Sequence, residues 1–82
     1  SEDEIIMLLR SKLKPYVAKN FPWKKLSVKA IGLSHAEITR AAEDSIKDML
    51  IHEYDKITMS HLTKAILDRK GIRQNHLIDK DG

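Results

Sequence analysis

The sequence contains no cysteine, which excludes a disulfide scaffold and any metal site built on thiolate ligands. The lack of thiols is compatible with a reducing compartment, so we expect a cytoplasmic protein. No apolar run exceeds residues 5–9, whereas a membrane-spanning helix needs roughly 20 apolar residues. Glu2, Asp3 and Glu4 stand before this run, where a secretory signal peptide would carry basic residues. We therefore predict no membrane association.

Strand patterns are also nearly absent, because no stretch alternates apolar and polar residues over several positions. Hydrophobic residues make up 41% and charged residues 33% of the chain, a composition typical of folded globular domains. The length of 82 residues suffices for one small domain with a modest core. The sequence begins with Ser1 rather than methionine, so we expect it to be a segment of a longer protein.

The apolar residues recur at helical spacing, which predicts an all-α fold, a small four-helix bundle. The first helix is predicted over about residues 3–15, and Pro15 limits its C-terminal end. The second is predicted over about residues 22–31. Pro22 suits its first position, and Gly32 suits a left-handed stop.

Residues 32–38, Gly-Leu-Ser-His-Ala-Glu-Ile, carry the local signals for the start of a third helix. Ser34 is the predicted N-cap, and Glu37 three residues later completes a capping box. Leu33 and Ile38 occupy the positions of a hydrophobic staple. This short stretch therefore predicts both where one helix stops and where the next one starts.

The third helix is predicted over residues 35–52 and the fourth over residues 59–70. Thr58 is the N-cap of the fourth helix, and Gly71 is expected to end it. Residues 71–82 are then expected to form a polar, flexible tail. The inner face predicted for the third helix follows the helical repeat: Ile38, Ala41, Ala42, Ser45, Ile46, Met49 and Leu50.

The sequence lacks the phosphate-loop, dinucleotide-binding and zinc-protease signatures GxxxxGK[ST], GxGxxG and HExxH. No two of its histidines stand three or four residues apart, since they occupy positions 35, 52, 61 and 76. This spacing does not suit a zinc site. Glu43 and Asp44 are adjacent, so they diverge on a helix and cannot act as paired carboxylates. We predict no catalytic residue and no metal site in this chain.

The order of these signals resembles the C-terminal helical lid subdomain of AAA+ ATPases. In that family the pattern matching residues 32–38 is glycine, apolar, serine, glycine, alanine, acidic, and isoleucine or leucine. Residues 57–66 read Ile-Thr-Met-Ser-His-Leu-Thr-Lys-Ala-Ile, which is similar to the isoleucine-threonine opening of the last lid helix. The resemblance covers about residues 3–70, and it implies that residues 1–70 form the lid.

The resemblance implies a set of nucleotide contacts at the start of the third helix, which in the family lies beside adenine and ribose. These contacts fall on Gly32, Ser34, His35 and Ala36, with Ala36 as the position of closest approach. The phosphate-sensing arginine of many AAA+ proteins is replaced by Ala36, as in the AAA clade proper. Arg40, one turn later, is a candidate for contact with a phosphate or a neighbouring subunit.

Two further expectations concern the same region. His35 stands where the family usually has glycine, so its ring is a candidate for stacking on the base. The first lid helix of the family also lies against the adenine, which makes Ile5, Ile6 and Leu9 candidates, although core packing alone explains them. Because the capping box uses some amide groups of the helix start, we expect contacts to base and sugar rather than a phosphate cradle.

The function implied by the resemblance is that of a non-catalytic, nucleotide-sensing lid. It would pack over ATP or ADP, bound with Mg²⁺ by a preceding α/β subdomain of the same chain. It would relay the nucleotide state to the neighbouring subunit of a homo-oligomeric ring. ATP hydrolysis would belong to the parent chain, because the phosphate loop, the metal-binding acidic motif and the arginine finger lie outside this sequence.

The charge distribution supports an alternative function. Residues 5–36 contain seven basic residues and no acidic one, and such a stretch suits nucleic acid or an acidic protein. Tyr16, Phe21 and Trp23 stand among its lysines, as aromatic residues do in proteins that stack on bases. A stand-alone nucleic-acid-binding domain and a plain protein-interaction bundle are therefore alternatives to the lid, and a solvated lysine surface is the simplest explanation of residues 10–29.

Overall fold

The computed structural model describes the backbone of residues 1–81 and the side chains of residues 1–71. Its α-helices are α1 Glu2–Leu13, α2 Trp23–Ala30, α3 His35–His52 and α4 Met59–Asp81. A 3₁₀ turn, Lys14–Tyr16, follows α1 directly. No strand occurs in the described part of the chain. The predicted all-α class and the small four-helix bundle are therefore confirmed.

The core lies where the four helices meet, since α1 packs against α2 and α3, and α4 packs against α3 and α2. At its centre five large side chains are at most 1% exposed: Leu9, Leu13, Leu26, Leu62 and Ile66. Each such burial stabilises the folded chain by about 1.5–3 kcal/mol relative to exposure. The apolar residues that recur at helical spacing in the sequence thus pack into a single hydrophobic core.

The predicted inner face of α3 is confirmed except at Leu50, which is 66% exposed. Met49, directly before it, is buried, and adjacent residues lie about 100° apart around a helix. The buried stripe of α3 is centred on Ile38, Ala42 and Met49. Leu50 lies just outside this stripe and therefore faces solvent.

The boundaries of α1 and α2 differ slightly from the predicted ones. The sequence predicts α1 to residue 15, whereas it ends at Leu13 and the chain tightens into the 3₁₀ turn. Pro15 explains this, because it has no N–H and disfavours the α conformation of the residue before it. Pro22, predicted as the first residue of α2, is instead its N-cap, and the helix begins at Trp23.

The predicted end of the fourth helix at Gly71 is wrong. The backbone of α4 continues through Gly71 to Asp81, and Gly71 does not have the positive φ of a left-handed stop. A glycine inside a helix costs only about 0.5–1 kcal/mol relative to alanine, so the type of residue alone does not end a helix. The sequence also predicts that the tail, residues 71–82, is flexible. The side chains of residues 72–81 and the whole of residue 82 lie outside the described part of the chain.

The connection between α3 and α4 is fixed by backbone groups. The N–H of Ile57 donates to the carbonyl oxygen of Tyr16 at 2.7 Å, which joins this connection to the 3₁₀ turn. Thr58 caps α4 as predicted, because its Oγ1 accepts from the N–H of His61 at 3.2 Å. The N–H of Thr58 donates in return to Nδ1 of His61 at 3.2 Å, so a histidine takes the place that glutamate usually has in a capping box.

Alanine substitutions at Gly32 and Gly71 should change stability in opposite directions. Gly32 has a φ of 98°, and a residue with a Cβ pays roughly 1–2 kcal/mol for a left-handed conformation. Gly71 lies inside α4 with nothing within 4 Å of a built Cβ, so Gly71→Ala should stabilise the chain by up to about 1 kcal/mol. Urea unfolding followed by circular dichroism measures both changes, and two changes of the same sign would contradict the conformations assigned to these glycines.

Candidate functional site

A groove of about 440 Å³ lies where the start of α1 faces the start of α3. One wall comes from the first two turns of α1, and the other from the α2–α3 turn and the first turn of α3. The apolar part of its lining consists of Ile5, Leu8, Ile31, Leu33 and Ile38, and the remainder of Ser1, Glu2, Glu4, Gly32 and His35. An apolar cleft with few polar groups at its edge is the usual form of a small-molecule site.

The α2–α3 turn is shaped by Gly32. The N–H of Ile31 donates to the carbonyl oxygen of Val28 at 3.4 Å, and the N–H of Leu33 donates to that of Ala30 at 3.1 Å. Gly32 stands between them in the left-handed region, as is typical just after the last residue of a helix. The turn therefore closes α2 and directs Leu33 into the core, where it is 8% exposed.

The capping box predicted at the start of α3 is confirmed. The N–H of Glu37 donates to Oγ of Ser34 at 3.1 Å, and the N–H of Ser34 donates to Oε1 of Glu37 at 2.9 Å. The amides of His35 and Ala36 have no hydrogen-bond partner among the described residues, as expected for the first two positions of a helix. These two amides are the donors that the helix start can offer to a ligand.

Acidic side chains border the groove on the α1 side. Glu2 and Glu4 are both part of its lining, and the N–H of Glu4 donates to Oγ of Ser1 at 3.4 Å. The two carboxylates give this edge a negative charge. Carboxylates can accept hydrogen bonds from hydroxyl or amino groups of a ligand, but they repel phosphate.

The predicted site residues are only partly brought together. Gly32 and His35 line the groove. Ser34 and Ala36 are exposed beside it, and neither belongs to its described lining. Arg40 is directed elsewhere, since its Nε lies 3.3 Å from Oδ1 of Asp44 at the surface.

The contribution of α1 to the groove was predicted only in part. Ile5 lines it as expected, whereas Leu9 belongs to the core with 1% exposure. Leu8 was missed, although it stands three residues after Ile5 and so shares a face of α1 with it. For Glu2 and Glu4 the sequence predicts no place in a ligand site. Their place in the groove depends on how α1 lies against α3, which the sequence does not show.

A second cavity, of about 610 Å³, lies between α3 and α4. Tyr54 lines it with its ring stacked on those of His61, 4.5 Å away, and His52, 5.5 Å away. The charges of its wall are balanced, because three cations, Lys47, Lys64 and Arg69, line it together with three carboxylates, Asp44, Asp48 and Asp68. This balance favours no ligand class, so the groove at the start of α3 is the better candidate site.

No protein-family model, curated protein or solved structure matches this chain. In the part of the chain that the structure describes, no group of three or more histidine and acidic residues could hold a metal ion. None of the helices, as far as they are described, is long and apolar enough to cross a membrane. A functional assignment therefore rests on the geometry of the groove and on the resemblance of residues 3–70.

Replacement of Ser34 should destabilise the start of α3. Ser34→Ala removes the capping oxygen and should lower the free energy of unfolding by about 1 kcal/mol, whereas Ser34→Gly should cost only a few tenths. Ser11→Ala is a matched control, because the hydroxyl of Ser11 is exposed and donates only to the carbonyl oxygen of Leu8 within α1. Chemical denaturation measures all three, and equal effects of Ser34→Ala and Ser11→Ala would contradict the capping role.

Proposed function

We propose that this chain is the nucleotide-sensing lid of an ATP-driven AAA+ machine. The observation that carries the proposal is the groove between the start of α1 and the start of α3. In the family that the sequence resembles, the same two elements lie against the adenine and ribose of the nucleotide. The groove is lined by Gly32 and His35, two of the residues for which the resemblance implies nucleotide contact.

The chemistry of the groove suits the base and sugar of the nucleotide. Ile5, Leu8 and Ile38 provide an apolar surface for a flat base, and the exposed ring of His35 stands at its edge, where it can stack. Glu2 and Glu4 can accept hydrogen bonds from ribose hydroxyls or from the amino group of adenine. The phosphates point away from this anionic edge, toward the preceding α/β subdomain that holds them with Mg²⁺.

The lid itself carries out no chemical step. Its role is to cover ATP or ADP on the α/β subdomain and to change orientation when the phosphates change. The neighbouring subunit of a ring is the recipient of that motion, and Arg40, 60% exposed on α3, is a candidate contact with it. The isolated chain is expected to bind nucleotide weakly, because a single open wall buries little of a ligand.

The first test of this proposal is to read the coding sequence upstream of Ser1. We expect the coding sequence to place a Walker-type phosphate loop upstream of Ser1, followed by an acidic metal-binding motif. Both features are needed because the lid has no phosphate cradle of its own. Reading the upstream sequence checks this, and an upstream region without either motif would exclude the lid function.

A nuclear magnetic resonance titration tests the groove directly. With ADP at millimolar concentrations, the amide signals of Ile5, Leu8, Gly32 and His35 should shift in fast exchange, and the apparent dissociation constant should be about 1 mM or weaker. The signals of α4 should stay in place, and the chain should not hydrolyse ATP.

Two ligands serve as matched controls in the same titration. Adenosine should shift the same groove signals as ADP, because we assign the contacts to base and sugar. Inorganic phosphate should leave them unchanged, since Glu2 and Glu4 make the edge anionic. Shifts of equal size with phosphate, or shifts with ADP that avoid the groove, would contradict the proposed site.

A further inference from the structure

The outward face of α2 consists largely of lysine. Lys24, Lys25 and Lys29 are exposed, whereas Leu26, Ser27 and Ala30 on the opposite side are buried. No acidic residue occurs within the helix. All the charged side chains of α2 are therefore positive, and all of them are exposed to solvent.

Further exposed cations lie on α1, which packs against α2, and in the connection between the two helices: Arg10, Lys12, Lys14 and Lys19. Arg10 and Lys12 are two residues apart on α1 and therefore point to different sides of it. We call the exposed side of α2, with Lys24, Lys25 and Lys29, the lysine face. Residues 5–36 contain no acidic residue, so nothing within this stretch neutralises it.

The cations of the lysine face have no carboxylate partner among the described residues. The described ion pairs that involve lysine or arginine lie on α3 and α4, where Arg40 pairs with Asp44 and Lys64 with Asp68. Among the described residues, the lysines of α2 thus form no ion pair, whereas two of the cations on α3 and α4, Arg40 and Lys64, do. Unpaired cations concentrated on one surface produce a positive potential that attracts polyanions.

Helix stability does not explain two of the three lysines of α2, although the helix dipole favours the third, Lys29, in the last turn. Lys24 and Lys25 lie in its first turn, where the helix dipole disfavours positive charge. No acidic residue lies in that turn, and the N-cap, Pro22, makes no side-chain hydrogen bond. Lys24 and Lys25 therefore stand where their charge weakens the helix locally.

The chemistry of the face favours a phosphate backbone over the alternatives. Protein interfaces are depleted in lysine, which counts against an acidic protein as partner. The aromatic residues of the region are turned inward: Phe21 is 8% exposed and Tyr16 and Trp23 pack against the core. Because Phe21 is buried and Tyr16 and Trp23 are partly buried, these rings offer little surface for stacking on unpaired bases, which disfavours single strands as ligands.

We propose that the lysine face binds double-stranded nucleic acid through its phosphate backbone, without sequence preference. The duplex lies along the exposed side of α2, and the contacts are ion pairs between the ammonium groups of its lysines and phosphate oxygens. This surface is separate from the nucleotide groove and does not rest on the lid function.

The test is fluorescence anisotropy of a labelled duplex of about 20 base pairs with the 82-residue chain over a series of salt concentrations. Nonspecific binding of this kind has dissociation constants of about 1–100 µM near physiological salt. The triple variant Lys24→Gln, Lys25→Gln, Lys29→Gln should flatten the slope of log affinity against log salt by about 3, roughly one per lost phosphate contact. Its thermal stability should not fall, because glutamine is a good helix former.

The matched control changes the net charge equally on the other half of the bundle. Lys47, Lys56 and Lys64 are exposed there, and their triple replacement by glutamine should leave the salt slope within about 1 of the unmodified chain. Polyglutamate of similar charge serves as a second ligand and should bind less tightly than the duplex.

Three outcomes would overturn the proposal. The first is the absence of salt-sensitive duplex binding. The second is an equal loss in both triple variants, which would mean that only net charge matters. The third is equally tight binding of polyglutamate, which would assign the face to an acidic protein instead. None of these results would affect the groove, because the nucleotide titration follows different residues.

Discussion

Much of the structure depends on one backbone constraint, the left-handed conformation of Gly32 with its φ of 98°. The turn at Gly32 ends α2 at Ala30 and lets α3 begin at His35, only a few residues later. It also turns Leu33 into the core and leaves Ser34 extended, so that the serine hydroxyl can cap the helix. Because this turn forms one wall of the groove, the candidate site is a product of the same local constraint.

The fold could be predicted from the sequence wherever the deciding signals are local. The glycine stop, the staple and the capping box lie within residues 32–38, and α3 has the predicted bounds, His35–His52. Prediction failed where the outcome depends on neighbouring elements. Leu50 has helical spacing but is turned away from the core by the packing of α3, and Gly71 has the residue type of a stop without its conformation.

The candidate site was predictable to a smaller extent for the same reason. Gly32 and His35 follow from a motif that is contiguous in sequence, and both line the groove. Leu8 and Glu4 reach it only because α1 lies against the start of α3, an arrangement that no periodicity encodes. Ser34 uses its hydroxyl within the helix start, which explains why a residue implied as a ligand contact lies beside the groove rather than in its wall.

The hydrogen bond from the N–H of Ile57 to the carbonyl oxygen of Tyr16 has a consequence for how this sequence can evolve. Both groups belong to the backbone, so the bond does not depend on the side chain at either position. Only proline at position 57 would abolish it directly, because proline has no N–H. The junction between the end of α1 and the start of α4 can therefore persist through extensive sequence drift, while the core around it is constrained residue by residue.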